Sequence, residues 1–251
     1  MLCPFCLENT SAKRPECKHC NEELPKLYLN SHKRFRKPYV VSLVGFSGHG
    51  KTVYLASLLY CLQDRLTRVW SGFYRRGLSQ EAVDVLYENL KMLEEGTLPE
   101  STRRNFPRPN IHQLCNIPGE GDRQLLIYDP PGEAFYRDAS MQEYASFVQK
   151  AKVVLFLLSL ADMDEPVSHE MNQLLEVYTL GMANMKAKKR QQDLVVVYTK
   201  ADLLLKRLKG RPEVVDYLRQ SEEDTIGNTK EYRKKLCWVS DQLAEFTLSD
   251  L

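Results

Sequence analysis

The stretch that most constrains the fold of this chain is residues 45–52 (GFSGHGKT), which fit the pattern G-x-x-x-x-G-K-[S/T] without a mismatch. An apolar segment with strand character, residues 39–45, precedes it, and a helical pattern with an apolar face, residues 51–68, follows. A glycine-rich loop between a strand and a helix turns its backbone N–H groups, and the positive end of the helix, toward phosphate oxygens. The predicted phosphate-binding residues are Gly45, Phe46, Ser47, Gly48, His49, Gly50, Lys51, Thr52 and Val53.

Two side chains of this loop have chemical roles in the prediction. Lys51 would reach the β- and γ-phosphates and neutralise their charge, which makes it a catalytic candidate. The hydroxyl of Thr52 would bind Mg²⁺. His49 occupies a variable position of the pattern, and we expect only its backbone to contribute.

A second motif, residues 127–133 (IYDPPGE), follows an apolar strand. Asp129 is predicted to hold Mg²⁺, directly or through a water molecule. Proline has no N–H group, so Gly132 offers the first free amide after the aspartate, and we expect that amide to sense the γ-phosphate.

Glu133 has two interpretations, which the sequence leaves open. It can act as the general base of hydrolysis, provided that its pKa rises or that Mg²⁺ and Lys51 screen its charge from the phosphates. It can equally begin the next helix, where a carboxylate is favoured by the helix dipole.

Four N-terminal cysteines form two Cys-x-x-Cys pairs, Cys3 with Cys6 and Cys17 with Cys20. Two such pairs can complete a tetrahedral Zn–S₄ site, with His19 as a bystander. A segment of this size cannot bury a core, so metal binding would supply its folding energy. The local charge is weakly basic, which favours docking to a protein partner over nucleic acid, although nucleic acid stays open.

Composition limits the compartment and the kinds of partner expected for this protein. Seven cysteines without an apolar leader indicate a reducing compartment, and we expect a cytoplasmic protein. No stretch approaches the roughly 18 apolar residues of a membrane span. The net charge of +2 points to neither a membrane nor nucleic acid, and the oligomeric state is not predicted.

The chain is predicted to have three parts: a zinc ribbon over residues 1–24, a basic linker over 25–38, and one domain over 39–251. In the large domain, strands at 39–45, 153–160 and 194–198 alternate with helical patterns at 51–68, 79–95, 141–150 and 165–189. Residues 110–117 and 124–128 read as a hairpin, and residues 213–250 as polar helix. This is an α/β pattern: a three-layer sandwich with a mainly parallel sheet and one antiparallel edge strand.

A third motif follows the strand at 194–198: Thr199, Lys200, Ala201 and Asp202 (TKAD) resemble the [N/T]-K-x-D guanine-recognition motif of GTPases. Asp202 can accept hydrogen bonds from guanine N1–H and the 2-amino group, which adenine does not offer in that pattern. The stem of Lys200 would stack on the base, and Thr199 replaces the usual asparagine.

Together the three motifs resemble a P-loop GTPase of the translation-factor-related class, over residues 38–205. The hairpin before Asp129 resembles that class. The zinc ribbon, residues 98–102 (LPEST) and residues 129–133 (DPPGE) are similar to bacterial double-GTPase proteins of the class. The resemblance implies GTP or GDP with Mg²⁺, and a switch I threonine at Thr102, with Thr97 as its competitor. It also implies a final strand with a Ser-Ala-like loop over the guanine, but only polar helical sequence follows Asp202. The sequence leaves open whether the domain lacks that strand or closes the base site with other residues or a partner chain.

We therefore expect a GTP-binding switch that hydrolyses GTP slowly and docks a protein partner through its ribbon. Two alternatives stay open at this point. One is a nucleotide-gated scaffold that binds GTP without cleaving it, and the other is a P-loop ATPase that acts on nucleic acid.

Overall fold

The computed structural model describes residues 1–32, 37–99, 107–159, 167–185, 191–200 and 212. The chain forms two compact units. The first comprises Met1–Leu157 and Val177–Val197, and the second comprises Leu158–Glu176 and Tyr198–Leu251. Thr102, Asp202 and the predicted C-terminal helix lie outside the described residues.

The sheet has six strands in the order β2-β3-β4-β1-β5-β6. They are β1 (Tyr39–Val44), β2 (Tyr74–Gly77), β3 (Asn110–Ile117), β4 (Gly121–Tyr128), β5 (Val153–Ser159) and β6 (Asp193–Thr199). Strand β1 pairs in parallel with both β4 and β5, whereas β3 is antiparallel to β4 and to β2. The predicted α/β class and hairpin are confirmed. The antiparallel part, however, has two strands, because the short and polar β2 extends the hairpin.

The helices are α1 (Lys26–His32), α2 (Lys51–Asp64), α3 (Leu66–Val69), α4 (Gln80–Glu94), α5 (Asp138–Tyr144) and α6 (Val167–Asn184). Two 3₁₀ helices, Gly132–Phe135 and Ser146–Lys150, flank α5. Ser79 caps α4 by accepting the amide of Ala82. The single helix predicted over residues 51–68 is divided at Arg65, where α2 ends and α3 begins. None of the helices in the described residues is both long and apolar enough to span a bilayer.

Alternation along the strands sends two sets of side chains to opposite faces of the sheet. On one face, odd-numbered strand residues pack against α2 and α4. The buried members of this core are Leu43, Leu55, Ala56, Leu59, Leu86, Ile127, Leu155 and Leu157. The helical layer on this side is therefore held by aliphatic packing directly beneath α2, the helix that the phosphate loop opens.

The opposite face carries aromatic contacts. The ring of Tyr128 at the end of β4 stacks on Phe147 with the ring centroids 4.4 Å apart. Phe156 of β5 meets Tyr178 of α6 edge-on at 5.0 Å. Helical segments thus cover both faces, which gives the three-layer arrangement expected from the sequence.

The N-terminal segment is a compact ribbon built on two isolated β-bridges, Leu2 with Asn9 and Glu16 with Glu23. Helix α1 follows it, inside the stretch that the sequence suggested as a linker. Its Tyr28 is fully buried, and the hydroxyl of Ser31 accepts a hydrogen bond from the amide of Gln124 at 2.6 Å. The division into ribbon, linker and domain stays a prediction, but residues 26–32 are helical, and Tyr28 and Ser31 on this helix are buried.

Leu59 offers a test of the core beneath the loop, because it is fully buried in the cluster shared by α2 and the sheet. Leu59→Ala should lower the free energy of unfolding by about 2–5 kcal/mol through lost burial and a residual cavity. The matched control is Tyr87→Ala on α4, whose side chain is 70% exposed. Urea unfolding followed by circular dichroism measures both. Equal effects in the two variants would contradict the assigned core.

Candidate functional site

The phosphate-loop sequence folds as a turn between β1 and α2. Gly48 has φ 83° and Gly50 has φ 76°, so both lie in the left-handed region that favours glycine. Gly45 is required for another reason, because a Cβ there would lie 2.8 Å from the carbonyl oxygen of Leu157 on β5. The loop is therefore shaped by two left-handed glycines and by its close contact with the neighbouring strand.

Lys51 is buried at the start of α2. Its ammonium group donates to the carbonyl oxygens of Gly45 and Phe46, each at 2.9 Å. Burial lowers the pKa of Lys51, and the negative charges of Asp129 and Glu133 offset this effect only in part. Two carboxylates therefore lie close enough to Lys51 to influence its charge.

The predicted metal ligands Thr52 and Asp129 meet in the structure. The hydroxyl of Thr52, in the first turn of α2, donates to Asp129 Oδ2 at 2.8 Å. Asp129 directly follows β4, at the carboxyl edge of the parallel strands where α/β proteins bind ligands. A hydroxyl and a mostly buried carboxylate beside a phosphate loop are oxygen donors of the kind that Mg²⁺ takes from proteins, so the residues fit this ion.

Gly132 lies against the phosphate loop. A Cβ at this position would come within 2.1 Å of the backbone nitrogen of Ser47 and 2.5 Å of the carbonyl carbon of Phe46. Only glycine allows this approach, since the atoms in the way belong to backbone. The motif predicted to sense the γ-phosphate is therefore in direct contact with the loop predicted to bind it.

The structure leaves both interpretations of Glu133 open. It lies in the first turn of the 3₁₀ helix Gly132–Phe135, where a carboxylate is favoured. It also lines the cleft formed by the phosphate loop. That cleft is lined by Ser47, Gly48, Gly50, Lys51, Thr52, Val53, Leu98, Pro99, Gly132 and Glu133.

The side chains of Phe46 and His49, for which the sequence predicted no role of their own, pack around the loop. The ring of Phe46 stacks on Tyr136 at 5.1 Å with 7° between the planes, and it meets His49 edge-on at 5.4 Å. His49 is buried, and its Nδ1 lies 2.9 Å from the carbonyl oxygen of Leu157. A carbonyl only accepts, so Nδ1 carries the hydrogen. His49 therefore contributes its side chain as well as its backbone, by joining the loop to β5.

Thr97, the competitor for the switch I role, is engaged elsewhere. Its amide and its hydroxyl both donate to the carbonyl oxygen of Met92, at 2.8 and 2.9 Å, which closes the end of α4. These two hydrogen bonds give Thr97 a structural role at the end of α4. Thr102 lies outside the described residues, so its predicted role stays a prediction.

The guanine motif begins in the second compact unit. The hydroxyl of Thr199, the last residue of β6, donates to the carbonyl oxygen of Leu158 at 3.2 Å. Lys200 has φ 56°, so the chain turns sharply directly after the strand. Asp202 lies outside the described residues.

The four N-terminal cysteines converge, and their sulfur atoms all lie within 4.8 Å of one another. The separations of 3.8 Å between Cys3 and Cys20, and of 3.7 Å between Cys6 and Cys17, are far longer than a disulfide bond of about 2.05 Å. Burial raises the pKa of Cys6 to about 11, so a thiolate there needs a neighbouring cation. The arrangement fits a tetrahedral zinc site.

The fold and the phosphate loop define a nucleotide-binding protein of the P-loop class, and the family match makes it a GTP-binding protein. Residues 39–242 match the family described as Double-GTPase 2, and the chain belongs to that family. The predicted resemblance is thereby confirmed. Among solved structures, the chain is similar to the signal recognition particle receptor SRb-GTP/SRX complex from Chaetomium thermophilum, with 17% identity, a TM-score of 0.35, and coverage of 76% of this chain and 86% of that chain. No match was found among curated proteins.

The close approach at Gly132 predicts a sharp effect of one methyl group. Gly132→Ala places a carbon against backbone atoms that cannot rotate away, so the motif or the loop must move. Overpacking of this kind costs about 1–3 kcal/mol, and we expect GTP affinity to fall roughly tenfold or more. Titration with a fluorescent GTP analogue measures the change.

Gly119→Ala is the control, because Gly119 has no neighbour within 4 Å of its added Cβ. It carries the backbone cost of replacing a left-handed glycine (φ +77°), which Gly132 does not, but it has no clash, so its GTP affinity should stay that of the wild type. GTP affinity in Gly132→Ala equal to that of the wild type would contradict the contact between the two motifs.

Proposed function

We propose that this GTP-binding protein is a magnesium-dependent GTPase switch that cleaves GTP slowly. The observation that carries the proposal is the bond between Thr52 and Asp129, formed beside a phosphate loop against which Gly132 is packed. In this proposal Thr52 and Asp129 hold Mg²⁺, which would draw negative charge away from the phosphates. Lys51 and the loop amides neutralise the remaining phosphate charge.

Recognition of the base is assigned to the TKAD motif. Asp202 accepts two hydrogen bonds from guanine, the stem of Lys200 stacks on the base, and Thr199 supports the turn after β6. The bond from Thr199 to the backbone of Leu158 supports that last role. Membership in a GTPase family supports guanine over adenine, and therefore a GTPase over the alternative of an ATPase acting on nucleic acid.

The sensing step is assigned to Gly132. The two preceding prolines have no N–H, so its amide is the first donor after Asp129 that can meet a γ-phosphate oxygen. Its backbone already packs on Ser47, and the 3₁₀ helix Gly132–Phe135 begins at the same residue. A change at the amide would therefore be transmitted to that helix, as in switches whose segments respond to the γ-phosphate.

Cleavage is assigned to Glu133. Its carboxylate lines the cleft of the phosphate loop, and its charge acts on Lys51. In that position it can accept a proton from the attacking water while Lys51 screens it from the phosphates. Lys51 would then both bind the phosphates and screen the charge of Glu133, the proposed base.

The cysteine cluster is assigned to structural zinc. Four sulfur donors in one cluster suit this ion, and its binding would offset the raised pKa of the Cys3 and Cys6 thiols. Cysteines arranged for a metal support a reducing compartment such as the cytoplasm. A protein partner for the ribbon stays part of the proposal.

Glu133→Gln tests the assignment of the base. It removes the proton acceptor while keeping the size of the side chain, so single-turnover cleavage of GTP should slow by about 10²–10⁴-fold. GTP affinity should stay close to that of the wild type. Rapid-quench measurement of released phosphate gives both the rate and the amplitude.

Glu143→Gln, an exposed carboxylate on α5, is the control and should cleave GTP at the wild-type rate. Unchanged cleavage in Glu133→Gln would remove Glu133 from the mechanism. A wild-type protein that binds GTP and releases no phosphate would instead support the nucleotide-gated scaffold.

A further inference from the structure

The ribbon and the nucleotide-binding body pack together inside one compact unit, Met1–Leu157 with Val177–Val197. The ammonium group of Lys150 donates to the carbonyl oxygen of Leu7 at 3.0 Å and pairs with the carboxylate of Glu8. Arg108 pairs with Glu22 and lies over the ring of Phe5 at 5.3 Å. One surface of the ribbon is therefore used within this chain.

The most buried of these contacts comes from Tyr128. Its hydroxyl donates to the carbonyl oxygen of Pro4, which lies between the first two cysteines of the ribbon. The side chain is fully buried, and its ring is fixed by stacking on Phe147. Burial raises the pKa of Tyr128 well above its usual value, so the phenol keeps the proton that it donates.

Tyr128 also lies next in the chain to one of the two proposed Mg²⁺ ligands. Tyr128 is the last residue of β4, and the next residue is Asp129, whose carboxylate accepts the hydroxyl of Thr52. A single peptide bond therefore joins the residue that contacts the ribbon to the proposed Mg²⁺ ligand. Any displacement of the Tyr128 side chain acts on the backbone that aims the Asp129 carboxylate.

Pro4 in turn depends on the cysteine cluster. It is flanked by Cys3 and Phe5, and the amide of Phe5 donates to the sulfur of Cys3 at 3.3 Å. The amide of Leu7 closes the same turn on the carbonyl oxygen of Cys3 at 3.0 Å. A ribbon of this size has little core of its own, so zinc on the four thiolates would fix the position of the Pro4 carbonyl.

We propose that Tyr128 is a positioning residue that couples zinc binding in the ribbon to Mg²⁺·GTP binding, through its hydrogen bond to Pro4 and its peptide link to Asp129. The inference rests on the proposed function of the nucleotide site. Coupling between two binding sites is reciprocal, so bound Mg²⁺·GTP must also strengthen zinc binding by the same factor.

The experiment measures both directions of the coupling on the full chain. Calorimetry gives the affinity for Mg²⁺·GTP with zinc bound and after zinc is removed by a chelator. A chromogenic chelator then reports the affinity for zinc in the natively folded protein, with and without Mg²⁺·GTP. We expect each ligand to strengthen the other by about 5- to 20-fold, within the usual range of such coupling.

Tyr128→Phe removes only the hydroxyl and keeps the ring on Phe147. It should retain zinc in equimolar amount. The factor by which each ligand strengthens binding of the other should fall to about one. The matched control is Tyr28→Phe, because Tyr28 is also fully buried and its hydroxyl donates to a ribbon carbonyl, that of Leu2, at 2.8 Å. No peptide bond joins Tyr28 to a nucleotide-site residue, since its neighbours in the chain are Leu27 and Leu29, so this variant should keep the wild-type coupling.

Each outcome decides the inference. Wild-type Mg²⁺·GTP affinity that is the same with and without zinc, together with zinc binding that ignores the nucleotide, overturns it. Coupling that persists in Tyr128→Phe, or that is lost equally in Tyr28→Phe, overturns the role of Tyr128. Failure of the zinc-loaded wild type to bind GTP would instead overturn the proposed function itself, so the two failures are distinguishable.

Discussion

The close approach of Gly132 to the backbone of Phe46 and Ser47 is the contact on which the rest of the site depends. It brings the segment after β4 onto the loop after β1, and these two strands are parallel neighbours in the sheet. The pairing sets both segments at the same edge, and the missing side chain of glycine lets them touch. The bond between Thr52 and Asp129 and the position of Glu133 beside Lys51 follow from that arrangement.

Around this contact, aromatic side chains hold the loop from two directions. Phe46 stacks on Tyr136, which follows the 3₁₀ helix, and His49 reaches the backbone of β5. The loop is thus joined to the segment that carries the proposed sensor and to the strand on its other side. Its conformation depends on tertiary contacts as well as on its glycines.

The sequence predicted most of the features that are encoded locally. The phosphate loop, the hairpin, the principal strands and the four cysteines each follow from spacing or periodicity within a short window. The short β2 was missed, because four residues with two arginines carry no strand pattern and are held by pairing with β3. Helix α1 was not predicted for a similar reason. Its basic composition suggested a linker, whereas it is held by the distant partners of Tyr28 and Ser31.

The roles of His49, Tyr136 and Tyr128 also could not be predicted from the sequence. Each depends on a partner distant in the chain, and the contact between Tyr128 and Pro4 joins the end of β4 to the first turn of the ribbon. This contact also changes how the ribbon is understood. Part of its surface packs against the body of the chain, through contacts that include Tyr128 and Lys150, so in our proposal only the remaining surface can dock a protein partner.

In our proposal Thr52 and Asp129 form a magnesium site for a guanine nucleotide bound on the phosphate loop. Calorimetric titration of the zinc-loaded protein with GTP, in the presence and absence of Mg²⁺, measures this directly. We expect tight binding of GTP with Mg²⁺, much weaker binding without it, and loss of that dependence in Thr52→Ala. GTP affinity that is the same with and without Mg²⁺ in the wild type would contradict the magnesium site.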